Sequence, residues 1–99
     1  DVTAINERLQ NHTNEIYIFG AHIFSQNLIV NGLDTSRIDY VLDNDPEKQD
    51  QMLYGTKLEV KNPNIIKNNK NPLVILRAAS YNNEIEKGLL NINQRTKFF

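Results

Sequence analysis

Apolar and polar positions along this 99-residue chain follow two periods in turn. Val2, Ile5 and Leu9 recur at spacings of three and four among polar residues, which predicts a short amphipathic helix over residues 1–13. Ile16-Tyr17-Ile18-Phe19 is then an unbroken apolar run rich in β-formers. Such a run suits a strand covered on both faces, as in a parallel sheet. From Ala21 to Val30 the spacing is helical again: Phe24 and Leu28 are four apart, Ile23 and Val30 seven, and Asn31-Gly32 supplies a stop. Arg37 to Asp43 reads as a second strand, apolar through Tyr40, Val41 and Leu42. Asp43 to Gln49 is a charged loop in which Asp45-Pro46 marks a turn, and Tyr54-Gly55-Thr56 is another turn. Lys57 to Val60 alternates strictly and reads as a short strand. Asn62-Pro63 resembles an N-cap followed by proline at the first helical position, with a short helix through Ile65 and Ile66. Asn68 to Pro72 is a loop. Leu73-Val74-Ile75-Leu76 is the most hydrophobic strand, continuing to Arg77 and Ala78. Ile85, Leu89 and Ile92 then form one helix face over residues 83–93, despite Gly88. Ser80, Asn82 and Asn83 are acceptable N-caps, and Glu84 and Glu86 suit the positive end of the dipole. Lys97-Phe98-Phe99 begins a fifth strand.

This succession predicts an α/β fold: a single Rossmann-like three-layer domain over residues 1–99, with a mainly parallel sheet of about five strands. The expected strand order is 3-2-1-4-5, with the first strand central and a switch point between it and the fourth. In such sheets the ligand crevice lies outside the carboxyl ends of the strands. Three segments converge there: Gly20-Ala21-His22, Asp43-Asn44-Asp45 and Ala79-Ser80-Tyr81-Asn82.

Composition narrows the function classes. With 11 basic and 12 acidic side chains the net charge is −1, so no basic surface argues for nucleic acid or for a membrane. Cysteine is absent, which excludes disulfides and thiol chemistry. No apolar run approaches the ~20 residues that span a bilayer, and no signal peptide is visible. A soluble cytoplasmic domain is expected. Because the chain starts at Asp1 and stops inside its last strand, it is expected to be a fragment of a longer protein.

Candidate chemistry centres on the glycine turn. A helix starting after Gly20 points free N–H groups at the turn, which favours an anion such as a phosphate. The dinucleotide fingerprint G-x-G-x-x-G is kept only at its first glycine, with His22 and Ser25 at the other two positions. Two readings stay open, a degenerate phosphate site and a purely structural turn. Asp43 ends the second strand about 20 residues beyond Gly20, where an acid accepts from ribose hydroxyls, or else caps its own loop. His22 is either a phosphate donor or an exposed helix-start residue. Tyr81 either stacks on a base or packs, and Glu84 either binds a hydroxyl or complements the dipole. His12 reads as a solvated helix-end residue. No nucleophile–base pair or metal-ligand cluster can be assembled.

Tyr17 to Ala21, Ile38 to Gln49, Leu53 to Thr56 and Tyr81 to Ile85 together resemble the C-terminal domain of sugar C-methyltransferases. They also resemble small domains of other sugar-nucleotide-modifying enzymes. The resemblance covers roughly residues 15 to 95, and its most specific part is Asp43-Asn44-Asp45-Pro46-x-Lys48-Gln49 followed by Gly55-Thr56. Two positions depart from the family's pattern: His22 stands where a small residue is usual, and Asp50 where a glycine follows. The resemblance implies an accessory domain that helps to form a nucleotide-sugar site and follows a catalytic methyltransferase domain of the same chain. S-adenosylmethionine would bind that separate domain, and this fragment would bind no cofactor. Residues expected at the cleft are Gly20, Ala21, His22, Ile23, Asp43, Asn44, Ser80, Tyr81, Asn82 and Glu84. The rival readings are an NAD(P)-binding fragment of a sugar oxidoreductase or epimerase, and a structural or dimerising module.

Overall fold

The computed structural model describes residues 2–76 and 82–99. Its elements run α1 (Val2–Gln10), β1 (Ile16–Phe19), α2 (Ile23–Val30), β2 (Tyr40–Leu42), β3 (Val60–Lys61), β4 (Leu73–Ile75), α3 (Asn82–Ile92) and β5 (Lys97–Phe98). Short 3-10 turns occupy Thr35–Arg37 and Pro63–Ile66. The strands form one sheet in the order β3-β2-β1-β4-β5, and every pairing is parallel. Ile18 lies opposite Val41 on one side and Ile75 on the other, so β1 is the central strand, as its apolar run predicts.

All four residues of β1 are buried because both of its faces are covered. The pleat sends alternate side chains to opposite sides. Ile16 and Ile18 join Ile5 and Leu9 of α1, with Leu28 and Ile29 of α2 packed against them. Tyr17 and Phe19 join Ile66 and Leu89 on the other side, with Ile85 and Ile92 of α3. The result is three layers, with α1 and α2 on one face and α3 with the Pro63–Ile66 turn on the other.

The ends of α2 follow from its sequence. Gly32 adopts φ 105°, and the N–H groups of Gly32 and Leu33 donate to the carbonyls of Ile29 and Leu28, a Schellman stop. At its start the helix begins at Ile23, two residues later than expected, with His22 in extended conformation as N-cap.

β4 ends at Ile75, and Arg77 and Ala78 of its expected extension lie outside the described residues; β2 and β3 are also shorter than their patterns. Arg37 is not in β2 but in the 3-10 turn that Asp34 caps by accepting from the Ser36 N–H. From there its guanidinium donates to the Leu9 and His12 carbonyls at the end of α1, 3.1 and 2.6 Å away. Asp39 then meets Ile16 twice, its own N–H donating to the Ile16 carbonyl at 2.8 Å and its carboxylate accepting from the Ile16 N–H at 2.8 Å. In the alternating stretch 57–60 only Val60 belongs to the parallel sheet. Glu59 bridges antiparallel to Met52, and the Leu53 N–H donates to the Leu58 carbonyl, so this stretch folds back on residues 51–53 through the Tyr54-Gly55-Thr56 turn.

His12 also departs from expectation. It is buried, and its Nε2 lies 2.8 Å from the Asn71 carbonyl oxygen. A carbonyl only accepts, so Nε2 carries the proton. The asparagine-rich loop is likewise bonded into the core. Asn69 donates to the Tyr17 hydroxyl at 2.5 Å, and the buried Asn93 donates to the Ile66 and Asn69 carbonyls at 2.7 and 2.8 Å. Among the described residues no helix is long and apolar enough to cross a membrane.

Candidate functional site

The carboxyl edge of the sheet gathers the loops that leave β1 and β2. Gly20 turns the chain out of β1 at φ 105°, a conformation that favours glycine. Its N–H donates to the Leu42 carbonyl at 2.7 Å, and its own carbonyl accepts from the buried Ser25 hydroxyl at 2.5 Å. Ser25 thus does what the third fingerprint glycine does elsewhere: it holds helix and turn close, here through a hydrogen bond.

His22 folds back over Gly20. A Cβ built on Gly20 would lie 2.3 Å from Nε2 of His22 and 2.8 Å from its Cδ2. The ring meets Phe24 edge-on, with centroids 5.7 Å apart, and its Nδ1 is buried without a partner among the described residues. The imidazole therefore stands over the backbone that a pyrophosphate approaches in a three-glycine turn.

Asp43 ties the two loops together. Its Oδ2 accepts from the Ala21 N–H at 2.8 Å, and its Oδ1 accepts from the Asp45 N–H at 2.9 Å. Lys48 lies 4.0 Å from the same carboxylate. The second bond is the loop cap that the sequence allows. The first crosses to the glycine turn and engages one of the N–H groups an anion would use.

Four of the expected site residues line two recesses on opposite faces of the sheet, and Gly20, Ile23, Asp43 and Asn82 are in neither lining. On the α3 side, Phe19, Asn44, Pro63, Glu84, Gly88 and Leu89 line a recess of about 260 Å³. On the α2 side, Ala21 and His22 line a smaller one of about 140 Å³ with Lys48, Met52, Tyr54 and Val60. Phe24, Met52 and Tyr54 are all exposed on that side. Ile23 opens α2, and Asn82 opens α3. Ser80 and Tyr81 lie outside the described residues. Sequence reasoning missed Pro63, Gly88 and Leu89 as recess-lining residues. The one signal was Gly88, a glycine at a helix-interior position.

Asp50 resolves one departure from the sugar C-methyltransferase pattern. It adopts φ 65°, the left-handed region in which glycine is most at ease. All 99 residues match the model of one family, the C-methyltransferase C-terminal domain. The chain belongs to that family. No curated protein gives a significant match to the sequence. As a C-terminal domain of a C-methyltransferase, it implies a catalytic partner domain in the same chain. Among the described residues, no group of three or more His, Cys, Asp or Glu side chains is placed to hold a metal ion.

Proposed function

We propose that this C-methyltransferase C-terminal domain is an accessory nucleotide-sugar-binding unit of an S-adenosylmethionine-dependent sugar methyltransferase. It shapes the substrate cleft and is not catalytic alone, the methyl donor being held by the partner domain. The whole-chain family match carries this reading. It is supported by the recesses at the carboxyl edge, where open parallel sheets bind ligands. Exposed Phe24, Met52 and Tyr54 beside that edge suit a cleft completed by a second domain. A nucleotide-sugar is an activated intermediate of carbohydrate biosynthesis, so the reading sets the enzyme in the cytoplasm. The nicotinamide-cofactor alternative fits less well, because His22 covers Gly20 and Asp43 already engages the Ala21 N–H. The same two contacts are what favour the structural-module reading.

Amide NMR of the chain tests the proposal. A nucleoside diphosphate-sugar is expected to shift signals of residues 20–23, 43–45 and 82–84, and S-adenosylmethionine is not. Asp43→Ala should weaken the response at residues 43–45 by removing the carboxylate that would accept from the ligand's hydroxyls. The chain alone should transfer no methyl group. A response to NAD of equal size would favour the oxidoreductase reading, and no response to any nucleotide, with the fold intact, would favour the structural module.

A further inference from the structure

Among the described residues Tyr54 is the most exposed of the large hydrophobic side chains, at 88%, yet the turn that carries it is firmly held. The Leu53 N–H donates to the Leu58 carbonyl at 2.8 Å, and the Thr56 N–H and hydroxyl both donate to the Leu53 carbonyl, at 3.0 and 2.7 Å. From α2 the Gln26 amide donates to the Tyr54 carbonyl at 3.0 Å. Phe24 and Met52 are 56% and 59% exposed. The three belong to one surface: Met52 and Tyr54 line the α2-side recess together with His22, and Phe24 stands edge-on to the His22 ring at 5.7 Å. Gln26, Lys48 and Gln51 give that recess a polar rim. An apolar patch rimmed by polar groups marks an interaction surface, whereas single exposed apolar residues do not. On the α3 side Ile65 and Leu90 are only 39% and 38% exposed.

Size and connectivity indicate what covers this surface. The recess of about 140 Å³ lies well below the range of about 300–1,000 Å³ usual for small-molecule pockets, so it suits one protein side chain. A C-terminal domain joins its catalytic partner through its amino-terminal end, which here is α1. That end lies against the turn after α2. Cγ1 of Val2 is 3.9 Å from the place of a Cβ on Gly32, and the Asn6 amide donates to the Gly32 carbonyl at 2.9 Å. The tether therefore enters on the helical layer that carries Phe24, and α2 spans only about 12 Å from one end to the other. A tethered domain is present at high effective concentration, so a patch of a few anchor residues is enough to dock it. We propose that the catalytic domain of the same chain docks on the α2 face over Phe24, Met52 and Tyr54, with one of its side chains in the recess beside His22. The held turn suits this role, because a surface already ordered loses little entropy on docking. His22 then serves the interface, covering Gly20 and forming one wall of the recess. The inference rests on the accessory-domain reading for its occupant and requires no particular ligand.

The full-length enzyme, catalytic domain included, tests this when a photoreactive benzophenone amino acid stands in place of Tyr54. Irradiation should join position 54 to a peptide of the catalytic domain within one molecule, so that the product runs at monomer mass. The same amino acid in place of Leu90 should give no such product. Phe24→Glu, whose charge suits the first turn of α2, should keep Tm, abolish the cross-link from position 54 and raise the radius of gyration in solution scattering as the domains part. Should that variant fail to fold, the cross-link made with Phe24 in place still decides. Joining of position 54 to a second copy of the chain would overturn the inference, as would a catalytic-domain product from position 90 alone or no product from position 54. Each of these would leave the nucleotide-sugar reading standing. An enzyme that docks through position 54 but binds no nucleotide-sugar would uphold the inference and overturn the sugar part of the proposed function.

Discussion

Gly20 combines two constraints that a side chain cannot meet. Its φ of 105° is strained for any L-residue, and the His22 ring occupies the place of a Cβ. Gly20→Ala should therefore destabilise the domain by about 1–3 kcal/mol from the backbone alone, with the clash in addition. Adding His22→Ala removes the clash but not the strain, so stability should recover only in part. Urea denaturation of both variants measures this, and full recovery would mean that the backbone is unstrained. Tyr17 makes a second residue-scale prediction. Burial raises its phenol above the ordinary 10.0, opposed by the Asn69 hydrogen bond and assisted by the negative charge of Glu15. A raised folded value means that the unfolded chain loses this proton first. Stability from this group is complete below pH 10.0 and falls as pH rises through the folded value. Tyr17→Phe should flatten the alkaline fall in the urea midpoint, and an unchanged slope would assign the fall to other groups. At this scale the sequence was legible where chemistry is local, as in the Asp43 loop cap. It was silent on the bond from Asp43 to Ala21, which needs two loops brought side by side.

Among the elements, β1 and β4 carry the core. Ile18 and Ile75 are paired neighbours with no exposed surface. Each changed to alanine should cost about 2–5 kcal/mol through lost burial and the cavity left behind. A thermal melt shifted by only a degree or two would contradict that packing. Their apolar runs were readable because a strand covered on both sides needs no polar alternation. Stretch 57–60 misled for the converse reason. Alternation in Lys57-Leu58-Glu59-Val60 reports which side chains are buried, and Leu58 and Val60 are buried as read. It does not report which neighbour takes the hydrogen bonds, and here residues 51–53 compete with β2 for them. Arg37 was misplaced in a strand because its destination, the carbonyl end of α1, is distant in sequence.

For the whole molecule, the order β3-β2-β1-β4-β5 sets a gradient of stability. Amides of β1 and β2 are held between two partners and covered by both helical layers, whereas β3 and β5 are two-residue edges. Native-state hydrogen exchange should show Tyr17 to Phe19 and Val41 among the slowest amides, near the global unfolding limit, and Lys97 and Phe98 much faster. Equal rates in β1 and β5 would contradict that gradient. Strand order was inferred correctly because apolar richness marks the centre of a sheet, and crossovers of helical length make neighbours parallel.

By itself the sequence determined the elements, their parallel arrangement and the meeting of the loops after β1 and β2 at the carboxyl edge, because periodicity and turn chemistry act within a few residues. Only tertiary structure decided how those loops are used. It turned His22 onto Gly20, joined Asp43 to Ala21, buried His12 against Asn71 and set Ala21 and His22 on one face of the sheet and Asn44 and Glu84 on the other. Each of these depends on the distance between atoms far apart along the chain, and no local spacing encodes that distance.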